Sequence, residues 1–530
     1  MNQRHLKKIR VGVALAFFFL TALLFIDFSQ LIPPFFSKTV LYLQFVPSML
    51  AFLQIAGLAT AGFIIVLILT LLFGRVFCST LCPLGTLQDI VIRVAGKYKK
   101  PKQARFRYAK PHTILRYSLL AVTILTFLGG SLLLINLLDP FSNFGRIFAD
   151  LVRPVYVGFN NVAVAILEAF GSYFLYPVYW QMPSLITLLF PLLLLGILIG
   201  LAATRGRLYC NTICPVGTLL GFFAHFALFK ITIDNTACTL CARCTITCKA
   251  SCIRLKTRAV DFSRCVACFN CLAVCPAAGI KYRKPAWRKL WQDIAFRRRW
   301  PAVDTSRRFF LGKLVIYLTG LGSLQADVGA QDTPRERALV FDNESHYPVS
   351  PPGSQNLERF TRTCSACHLC ISACPTQVLQ PALWEYGSLA GILQPRMDYH
   401  ASFCNYECTL CSQICPTGAL LPLGKADKQI TQLGIARFIK KRCIVYTDNT
   451  ACGACAEHCP TKAVHMMPYR HDLTIPEVNT VLCIGCGACE YACPVRPFRA
   501  IYVAGNPVHL QAEKPKVEQL NVDMTDDFPF

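Results

Sequence analysis

Four long stretches within the first 204 residues carry no charged side chain: Val11–Ile26, Thr39–Gly74, Tyr117–Leu138 and Ala169–Thr204, the last with its most apolar part at Leu185–Ala203. A helix that spans the hydrocarbon core of a bilayer needs about 20 apolar residues, so the pattern predicts four transmembrane helices. The polar segments between them are unequal. Arg75–Arg116 is dense in Lys97, Lys99, Lys100, Lys102, Arg105, Arg107 and Lys110, and the residues before the first stretch include Arg4, Lys7, Lys8 and Arg10. Positive loops stay in the cytoplasm, so both face that side. Ser29–Lys38 and Asp139–Glu168 then face the other.

After the fourth stretch, behind the basic boundary of Arg205 and Arg207, comes a cysteine-rich segment, Ile231–Tyr282. It follows an even number of spans and is expected in the cytoplasm. Farther on lie Arg297, Arg298 and Arg299, then Ser306-Arg307-Arg308-Phe309-Phe310-Leu311-Gly312-Lys313 and an apolar run to about Ala326. This has the form of a twin-arginine export signal, a route suited to a domain that receives its cofactors in the cytoplasm and crosses folded. Small residues near Ala326 and Ala330 offer a cleavage site. The expected fold class is a mostly α membrane protein: a four-helix transmembrane bundle plus small α+β modules of bacterial-ferredoxin type. The domains are a membrane domain over 1–230, a cytoplasmic two-cluster module over 231–290, a basic linker and signal or anchor helix over 291–330, and a periplasmic four-cluster domain over 331–530.

Composition agrees. Hydrophobic residues make up 54% of the 530 positions and charged residues 16%, against about 25% charged in soluble chains. The formal charge of +25 raises nucleic acid as a partner, but its distribution removes it. From Asp327 onward there are 17 Lys and Arg against 20 Asp and Glu, leaving 37 against 9 before that point. The positive charge lies beside the apolar runs, and no nucleic-acid motif accompanies it. No Gly-rich nucleotide motif follows a plausible strand either, which argues against NAD or flavin.

The chain has 29 cysteines, and most fall into one repeated spacing. Cys238, Cys241, Cys244 and Cys248 read C-x2-C-x2-C-x3-C. So do Cys265, Cys268, Cys271 and Cys275; Cys364, Cys367, Cys370 and Cys374; and Cys483, Cys486, Cys489 and Cys493. Two sets widen the first gap: Cys404, Cys408, Cys411 and Cys415; Cys443, Cys452, Cys455 and Cys459. Such a run places three thiolates on one [4Fe–4S] cluster while the fourth reaches the neighbouring cluster. The fourth cysteine is expected at the start of the following helix. The predicted crosswise sets are therefore Cys238/Cys241/Cys244/Cys275 with Cys265/Cys268/Cys271/Cys248, Cys364/Cys367/Cys370/Cys415 with Cys404/Cys408/Cys411/Cys374, and Cys443/Cys452/Cys455/Cys493 with Cys483/Cys486/Cys489/Cys459. Structural zinc takes cysteine pairs at longer separation, and disulfides need no repeated spacing.

Five cysteines stand outside these sets. Cys252 follows Cys248, where Lys249 replaces the usual proline; it is a buried thiol or an alternative ligand to Cys248. The other four form two matched motifs, Phe77-Cys78-Ser79-Thr80-Leu81-Cys82-Pro83-Leu84-Gly85 and Tyr209-Cys210-Asn211-Thr212-Ile213-Cys214-Pro215-Val216-Gly217. Each follows an even-numbered span. Cys78, Cys82, Cys210 and Cys214 bind a further cluster or metal, cycle as thiol pairs, or serve a structural role. The cofactor count is six [4Fe–4S] clusters, or seven.

With both Cys-x-x-x-Cys-Pro motifs, the four spans, Asp139-Pro140-Phe141-Ser142-Asn143-Phe144-Gly145-Arg146 and the two-cluster segment, the first 290 residues resemble the membrane subunit of the NapH/MauN type. The region from about Ser306 resembles its NapG/MauM-type partner, a twin-arginine-exported protein with four [4Fe–4S] clusters. The chain looks like a fusion of the two. The resemblance implies quinol oxidation at a bacterial inner membrane, with electrons from the quinone pool passed to a periplasmic redox enzyme or cytochrome. Asp139 and Arg146 are candidates for quinol contact by placement alone. His112 and His225 near the cytoplasmic face are weaker ones, and no catalytic acid or base is assigned. A regulatory or maturation factor for a periplasmic metalloenzyme, or a membrane metal-ion reductase, are the alternatives.

Overall fold

The computed structural model describes residues 4–27, 34–98, 106–178, 185–284, 347–387 and 389–514. The twin-arginine pattern, the Arg297–Arg299 run, Ala326 and Ala330 lie outside the described residues.

Two of the four uncharged stretches contain single helices long and apolar enough to cross a membrane: His5–Ile26 within α1 (Arg4–Ile26) and Thr187–Arg205 within α11 (Leu185–Arg205). The other two are assembled from shorter pieces. Thr39–Gly74 is broken into α2 (Pro34–Tyr42), α3 (Phe45–Gln54) and α4 (Gly62–Phe73), with a 94° bend between α2 and α3. Tyr117–Leu138 divides into α7 (Thr113–Leu128) and α8 (Leu133–Leu138) at Gly129-Gly130, where Gly130 takes the left-handed conformation that glycine adopts freely. Nor is Ala169–Thr204 one helix. Its first residue ends α10 (Arg153–Ala169), a helix lying within the segment expected simply to face the far side. That segment is helical because Asp139 caps α9 (Pro140–Arg146), accepting from the Ser142 N–H at 2.8 Å, with Pro140 at the first helical position. A π-type turn, Ile147–Val152, joins α9 to α10.

Between the long helices lie α5 (Phe77–Thr80), α6 (Pro83–Tyr98) and α12 (Pro215–Ala224). The last two begin at the proline of a Cys-Pro pair. They pack crosswise: α6 lies on α11 and α12 on α4.

The segment expected to carry two clusters, the two-cluster module, follows, framed by the antiparallel pair β1 (Lys230–Ile233) and β4 (Ile280–Arg283) and by the small hairpin β2 (Ile253–Arg254) with β3 (Ala259–Val260). It carries α13 (Arg243–Ile246) and α14 (Asn270–Val274). The C-terminal module is built from short antiparallel pairs: β5 (Leu379–Pro381) with β6 (Pro395–Met397), β7 (Thr431–Phe438) with β10 (Ile501–Gln511), and β8 (Val464–Pro468) with β9 (Thr474–Val478).

The two modules sit at opposite ends of the helical domain. Leu6 near the start of α1 packs into the core of the two-cluster module, while Phe25 near its end packs under Gly145, where the Cys367 carbonyl of the C-terminal module also arrives. Nineteen residues of helix separate them, about 28 Å at 1.5 Å per residue. The two long helices α1 and α11 are each of a length to run between these ends. Ala109 and Gly206 lie at the two-cluster end, Gly130 at the other, against Arg362.

Candidate cluster-binding sites

In all six ferredoxin-type sets the third cysteine lies on a single turn of helix, and in four of them the fourth directly follows it. Cys370 is on Leu369–Ala373, Cys411 on Leu410–Ile414, Cys489 on Ala488–Ala492 and Cys271 on α14; Cys374, Cys415, Cys493 and Cys275 are the extended residues that close those turns. Proline follows each of these four, and the residue before proline is driven out of the helical region. The fourth cysteine thus stands after the helix, not at the start of the next one, and is turned away from its own loop. Around the second cysteine the backbone repeats itself. Leu240 and Ala242, Ala267 and Phe269, Ala366 and His368, and Gly485 and Gly487 are all left-handed. Such conformations persist in non-glycine residues only where the surroundings enforce them.

The structure brings together cysteines far apart in sequence. Cys248 joins Cys265, Cys268 and Cys271 around one cavity. Cys374 joins Cys404, Cys408 and Cys411 around a second, and Cys493 joins Cys443, Cys452 and Cys455 around a third. Cys415 comes within electrostatic range of Cys364, Cys367 and Cys370, and Cys459 of Cys483, Cys486 and Cys489. Cys238 approaches Cys244 at the most exposed of the sets, where Cys241 is exposed and Cys275 half-buried. Among the described residues no three Cys, His, Asp or Glu side chains gather closely enough for a single metal ion. The cysteines instead gather in fours drawn from two loops each at these three cavities, the ligand number of a [4Fe–4S] cluster.

Sulfur-directed donors surround these cavities. The Ala366, Leu420, Ala436 and Ala500 N–H groups donate to Cys364, Cys415, Cys483 and Cys493 at 3.4–3.5 Å. Thr376, Thr417 and Thr461 stand 3.5–3.7 Å from Cys374, Cys415 and Cys459. The repeated Cys-Pro-Thr was the unused sequence signal for these threonines. Cys252 lines the same cavity as Cys248, 3.5 Å from its sulfur. The two inner sets of the C-terminal module are joined where the Cys404 N–H donates to the Cys486 carbonyl at 2.9 Å.

The other four cysteines, Cys78, Cys82, Cys210 and Cys214, are buried in one apolar core that also contains Cys268 of the two-cluster module and Cys367 of the C-terminal one. Their two motifs are related by a constant offset of 132 residues, and the match extends beyond the cysteines: Gly74-Arg75 corresponds to Gly206-Arg207, Gly85-Thr86 to Gly217-Thr218. The geometry repeats too. The Gly85 N–H donates to Cys82 at 3.4 Å, and the Gly217 N–H to Cys214 at 3.3 Å. The arginines cross over, Arg75 donating to the Cys210 carbonyl and Arg207 to that of Cys78. The Arg207 side chain also meets Asp89, at 2.9 Å. Burial works to raise the Asp89 carboxyl, but Arg207, Lys249 and Arg10 outweigh it and hold it below the usual range.

At the far end, His368 lies buried between Cys367 and Leu369, with Nδ1 2.9 Å from the Asp150 carboxylate and Nε2 2.9 Å from the Leu393 carbonyl. Asp139 is spent on capping α9. Arg146 binds the Asn136 carbonyl and the Asn143 side chain, with its guanidinium over the Phe190 ring. Both are buried. His112 precedes α7 and His225 follows α12.

A family profile described as "4Fe-4S binding domain" matches residues 55–101 and 187–233, and one described as "4Fe-4S dicluster domain" matches residues 363–419 and 450–496. The chain is 29% identical over 157 residues to the ferredoxin-type protein NapF of Escherichia coli (strain K12), covering 29% of this chain and 85% of that one. It is 32% identical over 152 residues to the methylamine utilization ferredoxin-type protein MauM of Methylophilus methylotrophus, covering 27% of this chain and 66% of that one. Similarity to the ferredoxin-type protein NapG of Escherichia coli (strain K12) is 27% over 204 residues, 36% of this chain and 82% of that one. No solved structure matches. With 4Fe-4S domains and ferredoxin-type relatives, the chain is an iron–sulfur electron-transfer protein.

Proposed function

We propose that this protein is anchored in a membrane, takes electrons from a quinol and hands them to a redox partner on the far side of that membrane. The observation that carries the reading is the single apolar core reaching from Cys268 through the four membrane cysteines to Cys367. A core of that kind links two electron-carrying modules that the topology separates.

Membrane anchoring is supported by the outer faces of the helices. Val13, Phe19 and Leu23 of α1, Ile64, Ile68 and Leu71 of α4, Ile124 and Leu125 of α7, and Leu189, Leu193 and Ile197 of α11 are exposed. Exposed apolar surface on this scale marks a lipid or protein contact. The apolar belt also gives a lipid-soluble donor its access. Quinol oxidation releases two protons and two electrons per molecule, and iron–sulfur clusters accept electrons one at a time, so the electrons leave the quinol singly and are carried onward by a series of centres. The protein residues hold those centres in a series: crosswise cysteines fix neighbouring sites within each module, and both end sites reach the surface, at Cys241 and at the half-buried Cys452. The two-cluster module is cytoplasmic and the C-terminal one periplasmic on this reading, in keeping with the basic loops and the twin-arginine pattern.

The test is anaerobic purification of the whole chain and addition of a reduced menaquinol analogue, with cluster reduction followed by electron paramagnetic resonance and iron and sulfide measured on the same sample. Rapid quinol-driven reduction is expected. Full iron content with reduction by dithionite alone would overturn the quinol step.

A further inference from the structure

We infer that Cys78, Cys82, Cys210 and Cys214 together hold one further four-iron cluster on the internal two-fold of the helical domain, and that this site joins the two ferredoxin modules into one electron path.

Each match to the 4Fe-4S binding domain contains only half a ligand set, Cys78 and Cys82 or Cys210 and Cys214. The fold supplies the missing half by bringing the two copies together, with all four sulfurs buried and in mutual electrostatic range. A second observation is independent of the cysteines. Arg75 is fully buried, and its partners are the Asn211 side chain at 2.8 Å, the Ser263 and Cys210 carbonyls at 3.2 and 3.0 Å, and the Cys78 sulfur at 3.7 Å. No carboxylate pairs with it among the described residues, and its Nε has no partner. An unpaired guanidinium in an apolar core is strongly unfavourable, and a cluster held by four thiolates is a net anion. The surplus extends further. Arg10, Arg75, Arg116, Arg207, Arg264 and Lys249 are gathered between this site and the two-cluster module, against only Asp89 and Asp261 among the described residues. Anionic centres on both sides of that layer offset it.

Position gives the site its use. The modules are held about 28 Å apart along α1, close to the thickness of a bilayer core of about 30 Å. Electron transfer falls exponentially with distance, so one step between Cys268 and Cys367 would be very slow. Arg207 is within electrostatic reach of both Cys268 and Cys210. On the other side Tyr209, adjoining Cys210, receives a bond from Asn143 at 3.0 Å, and Arg146 bridges Asn143 to the electrostatic field of Cys367. The site therefore divides the long gap into two shorter ones.

The inference rests on the electron-transfer reading, but iron content tests it separately. The whole chain, purified without oxygen, should contain roughly 28 irons, and the Cys78→Ser/Cys210→Ser double variant roughly 24, with the six ferredoxin-type signals unchanged. Roughly 24 in both would overturn it. The Arg75→Gln variant keeps every ligand; loss of a buried positive charge should lower the midpoint potential of one centre alone, and an unshifted set of potentials would count against the assignment. In sealed vesicles, an impermeant reductant on the side of the two-cluster module should reduce the C-terminal signals at least tenfold faster in the parent than in the double variant. Equal rates would remove the path. Retention of roughly 28 irons with no response to quinol would instead sink only the quinol reading.

Discussion

The two copies of the Gly-Arg-x-aromatic-Cys motif are alike in what holds the cysteines and different in charge. The copies still agree at the glycine and threonine that follow the cysteine-proline pair, Gly85-Thr86 and Gly217-Thr218. Then Asp89 in the first copy is answered by Gly221 in the second. Asp89 gathers Arg10, Arg207 and Lys249, while Arg75, the counterpart of Arg207, has no acid among the described residues. The empty position is used otherwise: a Cβ at Gly221 would meet the Ser263 carbonyl and Arg116, so the Phe262–Arg264 loop docks where a side chain would have been. Symmetry builds the site, and its breaking seats the two-cluster module on one side of it.

Variants can sharpen or break that comparison. The largest effect is expected from Asp89→Asn, which leaves three cations beside one another without a counter-charge. Breaking a buried pair costs about 3–5 kcal/mol, so thermal unfolding of the detergent-solubilised protein should move down by several degrees, whereas Gly221→Asp should not restore symmetry but expel the docked loop. Next are the symmetric glycines. A Cβ at Gly85 would collide with the Cys78 carbonyl and one at Gly217 with that of Cys210. Overpacking of this sort costs about 1–3 kcal/mol, and Gly85→Ala and Gly217→Ala should lower the unfolding temperature equally; an effect at one position alone would break the comparison. Gly221→Ala, of similar size, should raise protease sensitivity of the two-cluster module while leaving Cys78, Cys82, Cys210 and Cys214 protected from alkylation.

A smaller effect is expected at the other end, where His368 docks on Asp150. His368→Gln keeps a donor to the carboxylate and should weaken, without abolishing, protection of the C-terminal module from limited proteolysis; unchanged protection would show that Gly145 and Phe25 suffice. The smallest lies outside the comparison. His509 is pushed down to about 4 by burial, beside Ser350 at 2.9 Å. The unfolded chain then binds a proton more readily below about pH 6.5. Its contribution to stability is present above that value and is lost as the pH falls toward 4. His509→Gln should flatten this part of a stability–pH profile, and an unaltered profile would exclude the residue.

The cysteine groupings were legible because a cluster loop is local. Three cysteines within seven residues, as in Cys364–Cys370, report their chemistry at any place in a fold, and Pro375 or Pro416 reports that the fourth will point elsewhere. Helix continuity was less legible. Apolar composition runs unbroken through Thr39–Gly74, yet the 94° bend divides it, since hydrophobicity measures where a segment can lie and not whether it is one helix. Asp139 was noticed for its charge in an apolar setting and proved to be the cap of α9. The sequence could not distinguish these because a buried carboxylate that binds a ligand and one that binds the chain look the same.

By itself the sequence determined the number of local cysteine sets, their cluster chemistry, the apolar character of the first half and the existence of two matching motifs. These depend on spacing over a few residues or on composition. Only the tertiary structure decided that the two motifs meet, that Arg75 is left without an acid, and that both modules touch one apolar core from opposite ends. Those facts rest on contacts between residues more than a hundred positions apart, set by how α6 packs on α11 and α12 on α4, and no local pattern carries the pairing of distant helices.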